Sequence, residues 1–263
     1  MITVDCGITA IEEIEFAKTL GMETIITDHH EPACSIPNAI AVVDCKRKDN
    51  KYRFRELAGV GVAFKLIQAL SIKMNLDESE YLKYLDIVAI GTISDIVPLI
   101  DENRVITSLG LKLIKCTKNI GLKAILNEAG YSKIDSNCIS FGVAPRLNAC
   151  GRMGLAYKAL ELLLEKDIKK VQKLATEINS YNNKRQEEEK KIFEEAQKKI
   201  KEENLENECS IIIGGNSWHN GVIGIVSSKI TEMYYKPSIL VCFNENEEIG
   251  KGSRKKYSRI RLT

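Results

Sequence analysis

Three short β-branched runs, separated by a stretch of helical spacing and then a short connection, constrain the first half of this chain to an alternating α/β architecture. The first run is Ile2 to Asp5. Ile11, Ile14, Phe16, Ala17 and Leu20 then recur at helical spacing, with Thr9 placed to cap that helix and Gly21 to stop it. Residues 24–27 form the second run and residues 39–43 the third. A strand, a helix and a returning strand favour a parallel, doubly wound sheet. Ligands of such sheets gather at the carboxyl ends of the strands.

Further on, Leu57, Val60, Phe64, Ile67 and Leu70 predict a helix over 56–74, and others follow over 81–90, 103–116 and 121–129. A long charged helix is expected over 168–203; its run Lys184-Arg185-Gln186-Glu187-Glu188-Glu189-Lys190-Lys191 reads as a solvated face. A strand at 210–213, a helix at 222–233 and a strand at 239–243 then restart the alternation. The expected organisation is a parallel, doubly wound domain over 1–165, a connecting helix over 166–205 and a smaller α/β domain over 206–263.

At 263 residues and 44% hydrophobic content the chain can build one or two cores. Its 38 basic and 36 acidic residues nearly cancel, to a formal +2, so any surface for nucleic acid must be local. Eight scattered cysteines with no CxxC pair argue against a zinc site or a disulfide framework and for reduced thiols in a cytoplasmic protein. No apolar run approaches the roughly 20 residues of a membrane span, so no membrane partner is expected.

Asp5, the triplet Asp28-His29-His30 and Asp95 each follow an apolar run. A lone aspartate at a strand end is ordinarily a turn or helix cap. Adjacent histidines after an aspartate, in a chain with only three histidines, are harder to read that way. Carboxylates and imidazoles gathered at one sheet edge suit Mn²⁺ or Mg²⁺, which take oxygen-rich shells with an occasional nitrogen.

Ile26-Thr27-Asp28-His29-His30-Glu31-Pro32 resembles the signature of the DHH phosphoesterases. Val4-Asp5-Cys6-Gly7-Ile8 and Gly91-Thr92-Ile93-Ser94-Asp95-Ile96-Val97-Pro98-Leu99 resemble two further motifs of that family, in the same order. The RecJ branch is indicated by Leu57-Ala58-Gly59-Val60-Gly61-Val62-Ala63-Phe64-Lys65, by Pro145-Arg146-Leu147-Asn148-Ala149-Cys150-Gly151-Arg152 and by Trp218-His219-Asn220-Gly221-Val222-Ile223-Gly224-Ile225-Val226. The resemblance implies a metal-dependent 5′ to 3′ exonuclease on single-stranded DNA, used in repair and recombination. It also implies a repair helicase or single-strand-binding protein as partner, and a DHH-associated domain at the carboxyl end.

Residue by residue, the resemblance makes Asp5, His29 and Asp95 metal ligands for a two-metal site and Asp28 the partner that orients the neighbouring histidine. His30 stands against the scissile phosphate. Arg146 and Arg152, in a Gly-bounded loop, together with Trp218, His219, Ser253 and Arg254, face nucleic acid. Trp218, the single tryptophan, would by default be packed inside.

Two departures from the family pattern accompany this. No Asp-x-Asp-Gly segment stands ahead of Asp5, which predicts an incomplete metal shell and little turnover. After Ser253 the text departs from the Gly-Ser-Gly-Arg-Ser loop, as a one-nucleotide frameshift would produce; read as it stands, Arg254, Lys255, Lys256, Arg259 and Arg261 form a basic tail suited to phosphate. Two other readings stay open: a DHH phosphoesterase acting on short oligonucleotides or cyclic dinucleotides, and a non-catalytic nucleic-acid-binding fragment.

Overall fold

The computed structural model describes residues 1–243 and 249–255, and two compact units divide the chain after Pro145. Lys256, Arg259 and Arg261 of the basic tail lie outside the described residues.

The first unit opens on a three-stranded parallel sheet in the order β1 (Ile2–Val4), β2 (Ile25–Asp28), β3 (Ala41–Asp44). Val4 stands opposite Thr27, and Asp28 opposite Asp44, so the strand ends that carry the acidic residues align at one edge. Helix α1 (Ile11–Thr19) is the crossover that makes β1 and β2 parallel. Its cap is Ala10 rather than Thr9: Ala10 N–H donates to Gly7 O and Ile11 N–H to Thr9 O, so the backbone turn satisfies these amides without a side chain. Ile14 and Ala17 are its buried pair, while Phe16 and Leu20, four apart, share a different and exposed face.

Helix α2 (Gly59–Lys73) packs on β1 and β2, and α3 (Ser79–Leu82) and α4 (Leu85–Ser94) follow as two helices where the periodicity predicted one. In α4, Val88, Ala89, Ile90, Thr92 and Ile93 are all buried, the signature of a helix covered all round. It is enclosed by α2, by α5 (Asp101–Ile114) and by a π-helical turn, Cys138–Val143. Helix α6 (Ile120–Ala129) is capped by Asn119, whose side chain accepts from Leu122 N–H.

Arg146 and Arg152, expected in a Gly-bounded loop, lie on helix α7 (Ala144–Arg152). Pro145 has no N–H to give the preceding turn, and that turn is the wider π-helical one, so the chain stays helical through it. The unit division falls inside α7, ahead of the expected boundary at 165. Helix α8 (Ala156–Leu164) joins α9 (Ile168–Glu202) through Lys158 and Glu177, and Arg146 of α7 bonds Asn179 of α9.

In the second unit, β4 (Ile211–Asn216) and β5 (Ser238–Phe243) are parallel and β6 (Lys251–Lys255) is antiparallel to β5. Helix α10 (Asn220–Tyr234) is their crossover. Ile192, Ala196 and Ile200 of α9 share one core with Ile211, Ile213, Val222, Val226, Ile230 and Leu240. The charge run on α9 is solvated only in part: Asn182, Arg185 and Glu189 are buried. No helix of the described residues is long and apolar enough to cross a membrane, and all eight cysteines are free.

Candidate metal centre

Asp5 follows β1 with φ at 62°, in the left-handed region that aspartate tolerates better than bulkier residues. That turn sends its carboxylate toward the next strand, where His29 follows β2. Asp95 is the C-cap of α4, and the residue after it, Ile96, has φ at 59°. A β-branched residue in that region costs about 1–3 kcal/mol, and such strain tends to collect at functional sites.

His29 Nε2 lies 3.1 Å from Asp5 Oδ1 and 3.4 Å from Asp95 Oδ2. His29 is only 7% exposed, and Nε2 is buried without a hydrogen-bond partner. A buried nitrogen aimed between two carboxylate oxygens, and bonded to neither, has the donor geometry of a metal ligand. Ligand atoms of Asp5, His29 and His30 also fall within 4.8 Å of one another. One nitrogen-rich and two carboxylate-bearing strand or helix ends fit Mn²⁺ or Mg²⁺ better than a thiolate metal. Burial raises the Asp95 carboxyl above its ordinary range, and the nearby Asp5 carboxylate adds to this against the pull of His29.

Asp28 is 1% exposed and organises the turn around it. Its Oδ2 accepts from Ile8 N–H at 3.0 Å; its Oδ1 accepts from His29 N–H at 2.8 Å and from His30 N–H at 3.3 Å. The ring that it holds is that of His30, whose Nδ1 lies 2.7 Å from Oδ1; for His29 it fixes the backbone, not the imidazole. Burial alone would raise the Asp28 carboxyl, but the bonds from Ile8, His30 and His29 outweigh it and hold the group below its usual range. The same pairing raises His30, which keeps its positive charge to higher pH on a largely exposed ring.

Three supporting residues were given no role of their own by the sequence reading. Asp44 ends β3 beside Asp28; its Oδ1 accepts from Lys46 N–H at 2.7 Å, whereas Oδ2 is buried and unpartnered. The strand-end rule that found Asp5 and Asp28 applies to it equally, one residue beyond the run read as ending at Val43. Asn103 of α5 is fully buried, and its Nδ2 donates to Glu56 O ahead of α2 and to Pro98 O after Asp95, stapling two loops that flank the site. Gly59 is the third.

The residues expected to face nucleic acid belong to the second unit, and those expected to hold metal to the first. Arg152 is exposed and its Nη1 donates to Gly221 O at 3.0 Å; a Cβ on Gly221 would stand 3.1 Å from the Arg152 carbonyl carbon, so the motif glycine allows α10 to start against α7. Arg146 Nε donates to Asn179 Oδ1 at 2.9 Å. His219 caps α10, its Nδ1 accepting from Gly221 N–H. Ser253 is half-buried beside Gly224, and Arg254 is exposed on β6. Trp218 is a correction: it is 4% exposed, sits in the core with Val222 and Leu240, and its Nε1 donates to Glu195 Oε2 at 2.9 Å. Its indole is packing surface and is not available to stack on a base.

Residues 1–92 match the model described as DHH family, N-terminal domain. Along its whole length the chain is similar to RecJ: it is 42% identical over 264 residues to the single-stranded-DNA-specific exonuclease RecJ of Bacillus subtilis (strain 168), covering 100% of this chain and 33% of that protein. Against the protein of the same name from Escherichia coli (strain K12) it is 35% identical over 256 residues, 91% of this chain and 44% of the relative. The crystal structure of RecJ in complex with Mn²⁺ from Thermus thermophilus superposes with a TM-score of 0.82 at 36% identity, over 92% of this chain and 36% of that one. A crystal structure of exonuclease RecJ bound to manganese gives 0.84 at 34% identity, over 98% and 63%. The chain thus spans between a third and a half of the length of these curated relatives.

Proposed function

We propose that this chain carries the metal-binding and part of the DNA-binding machinery of a 5′ to 3′ exonuclease that hydrolyses phosphodiester bonds of single-stranded DNA. The observation that carries the reading is the buried, unpartnered His29 Nε2 between Asp5 Oδ1 and Asp95 Oδ2. Asp5, His29 and Asp95 would hold Mn²⁺ or Mg²⁺, the ions found in the related RecJ structures. A bound divalent ion supplies hydroxide at neutral pH and neutralises charge building on phosphate.

The chain's own residues prepare the rest. Asp28 fixes the His30 ring through Nδ1 and shifts it toward the cationic form, which suits it to an anionic phosphate. Exposed Arg152 and Arg254 offer planar cationic groups to the DNA backbone. The work of such an enzyme lies in DNA repair and recombination in the cytoplasm, with a repair helicase or single-strand-binding protein beside it, as the RecJ resemblance implies.

The test is release of nucleotides from a 5′-labelled single strand with Mn²⁺, with Mg²⁺ and with chelator, beside a blunt duplex. Metal-dependent release from the single strand supports the reading. Metal-independent release, or equal release from the duplex, would sink it.

A further inference from the structure

Among the RecJ-like motifs, Leu57-Ala58-Gly59-Val60-Gly61-Val62-Ala63-Phe64-Lys65 holds none of the metal or DNA residues named above, yet its helix begins beside the metal centre. Gly59 is the first residue of α2. A Cβ placed on it would overlap Asp5 Oδ1 and stand 2.7 Å from both Cβ and Cγ of Asp5. Cβ atoms do not tolerate neighbours inside 3.0 Å. Rotating the Asp5 side chain offers no relief, since χ1 moves the carboxylate and leaves Asp5 Cβ where it is.

The next residue makes the same close approach on its other side. A Cβ on Gly91 of α4 would stand 2.7 Å from Val60 Cγ1, and Gly91 lies one turn ahead of Asp95. The first turn of α2 therefore touches the residue that bears one carboxylate and the helix that bears the other. Its N-cap, Ala58, offers no side chain to the first amides, and a helix amino terminus favours an adjacent carboxylate such as that of Asp5.

We infer that Gly59 is a positioning residue of the metal centre: its missing side chain is the space into which Asp5 sets its carboxylate at the distance from His29 that a shared metal ion needs. The inference rests on the proposed role of Asp5 as a ligand.

Two measurements on the full chain separate the parts. In the first, with chelator present, urea midpoints are taken for the parent, Gly59→Ala, Asp5→Gly and the double variant. The added methyl should lower the midpoint clearly in the parent and by less than half as much once Asp5 has no side chain. Equal shifts in both backgrounds would overturn the inference. If Gly59→Ala alone does not fold, the double variant should; its failure to fold would overturn the inference too.

In the second, Mn²⁺ is titrated by calorimetry. Gly59→Ala should bind at least tenfold more weakly, while Gly61→Ala, whose new methyl meets only the Leu57 side chain at 3.3 Å, should stay within about twofold of the parent. Parent-like affinity in Gly59→Ala, with affinity lost in Asp5→Gly, would remove Gly59 and leave the metal site standing. Parent-like affinity in Asp5→Gly would remove the ligand role of Asp5, and the positioning role with it.

Discussion

His29 Nε2 stands within ion-pair range of Asp5 Oδ1 and Asp95 Oδ2, at 3.1 and 3.4 Å, and is hydrogen-bonded to neither. A cation held among these three groups would give the buried nitrogen the partner it lacks. Asp95→Asn keeps the shape and removes one charge, so Mn²⁺ affinity should fall by about tenfold or more, the scale on which changes around metal ligands act. Lys198→Ala, at an exposed position on α9, should bind as the parent does. Calorimetric titration of both variants decides it, and equal affinity in the two would take Asp95 out of the site.

Asp28→Ala should be costly for the fold itself. The carboxylate is buried and accepts from three backbone N–H groups and from the His30 ring, and its removal orphans the Ile8 and His29 amides. Buried donors left unpaired cost about 1–3 kcal/mol each, so a loss of about 3 kcal/mol in urea unfolding is expected. A loss below about 1 kcal/mol would mean that the turn is held by something else.

Trp218→Phe should destabilise the second unit without touching DNA affinity. The change removes the Nε1 bond to Glu195 and part of a packed ring, together about 2–3 kcal/mol. Denaturant midpoints read the first effect and fluorescence anisotropy with a labelled single strand reads the second. Weakened DNA binding with an unchanged midpoint would place the indole outside the core.

The Lys158–Glu177 pair should give the second unit an acid-sensitive contribution. Glu177 is held below its ordinary carboxyl range, first by Lys158 and then by the Tyr181 hydroxyl. A depressed carboxyl stabilises the fold above its unfolded value of 4.5, and the contribution disappears as pH falls through the lower folded value. Lys158→Ala should therefore lower Tm at pH 7, and the gap from the parent should close in the acid limb. A gap that stays constant down through that limb would mean that the pair carries no linkage.

Local pattern made the parallel sheet legible, because β-branched runs ending in Asp5 and Asp28 carry their own period and their own stops. The acidic strand ends of the candidate metal centre were legible for the same reason. What stayed hidden depends on distant contacts: Asn103 bonds the Glu56 carbonyl 47 residues away, and Gly59 matters only through what lies against it. The stretch around Arg146 and Arg152 was misread because glycine and proline usually end helices, and nothing local announces a π-helical turn ahead of Pro145. Trp218 was drawn outward by its motif, whereas its size sends it into the core.

The buried stripe of α9 runs from Val171 through Ile178 to Asn182, Arg185 and Glu189 and resumes at Ile192, Ala196 and Ile200. Its polar middle is closed on itself, since Arg185 bonds Glu189 at 2.5 Å and Asn182 at 2.9 Å, while Lys229 of α10 pairs with the other Glu189 oxygen. An all-apolar stripe can settle at several offsets against a neighbour, each of similar energy. Sliding α9 by one turn along α10 would instead part Glu189 from Lys229 and leave a buried carboxylate short of its second cation. The helix behaves as a keyed shaft, which has one seating depth.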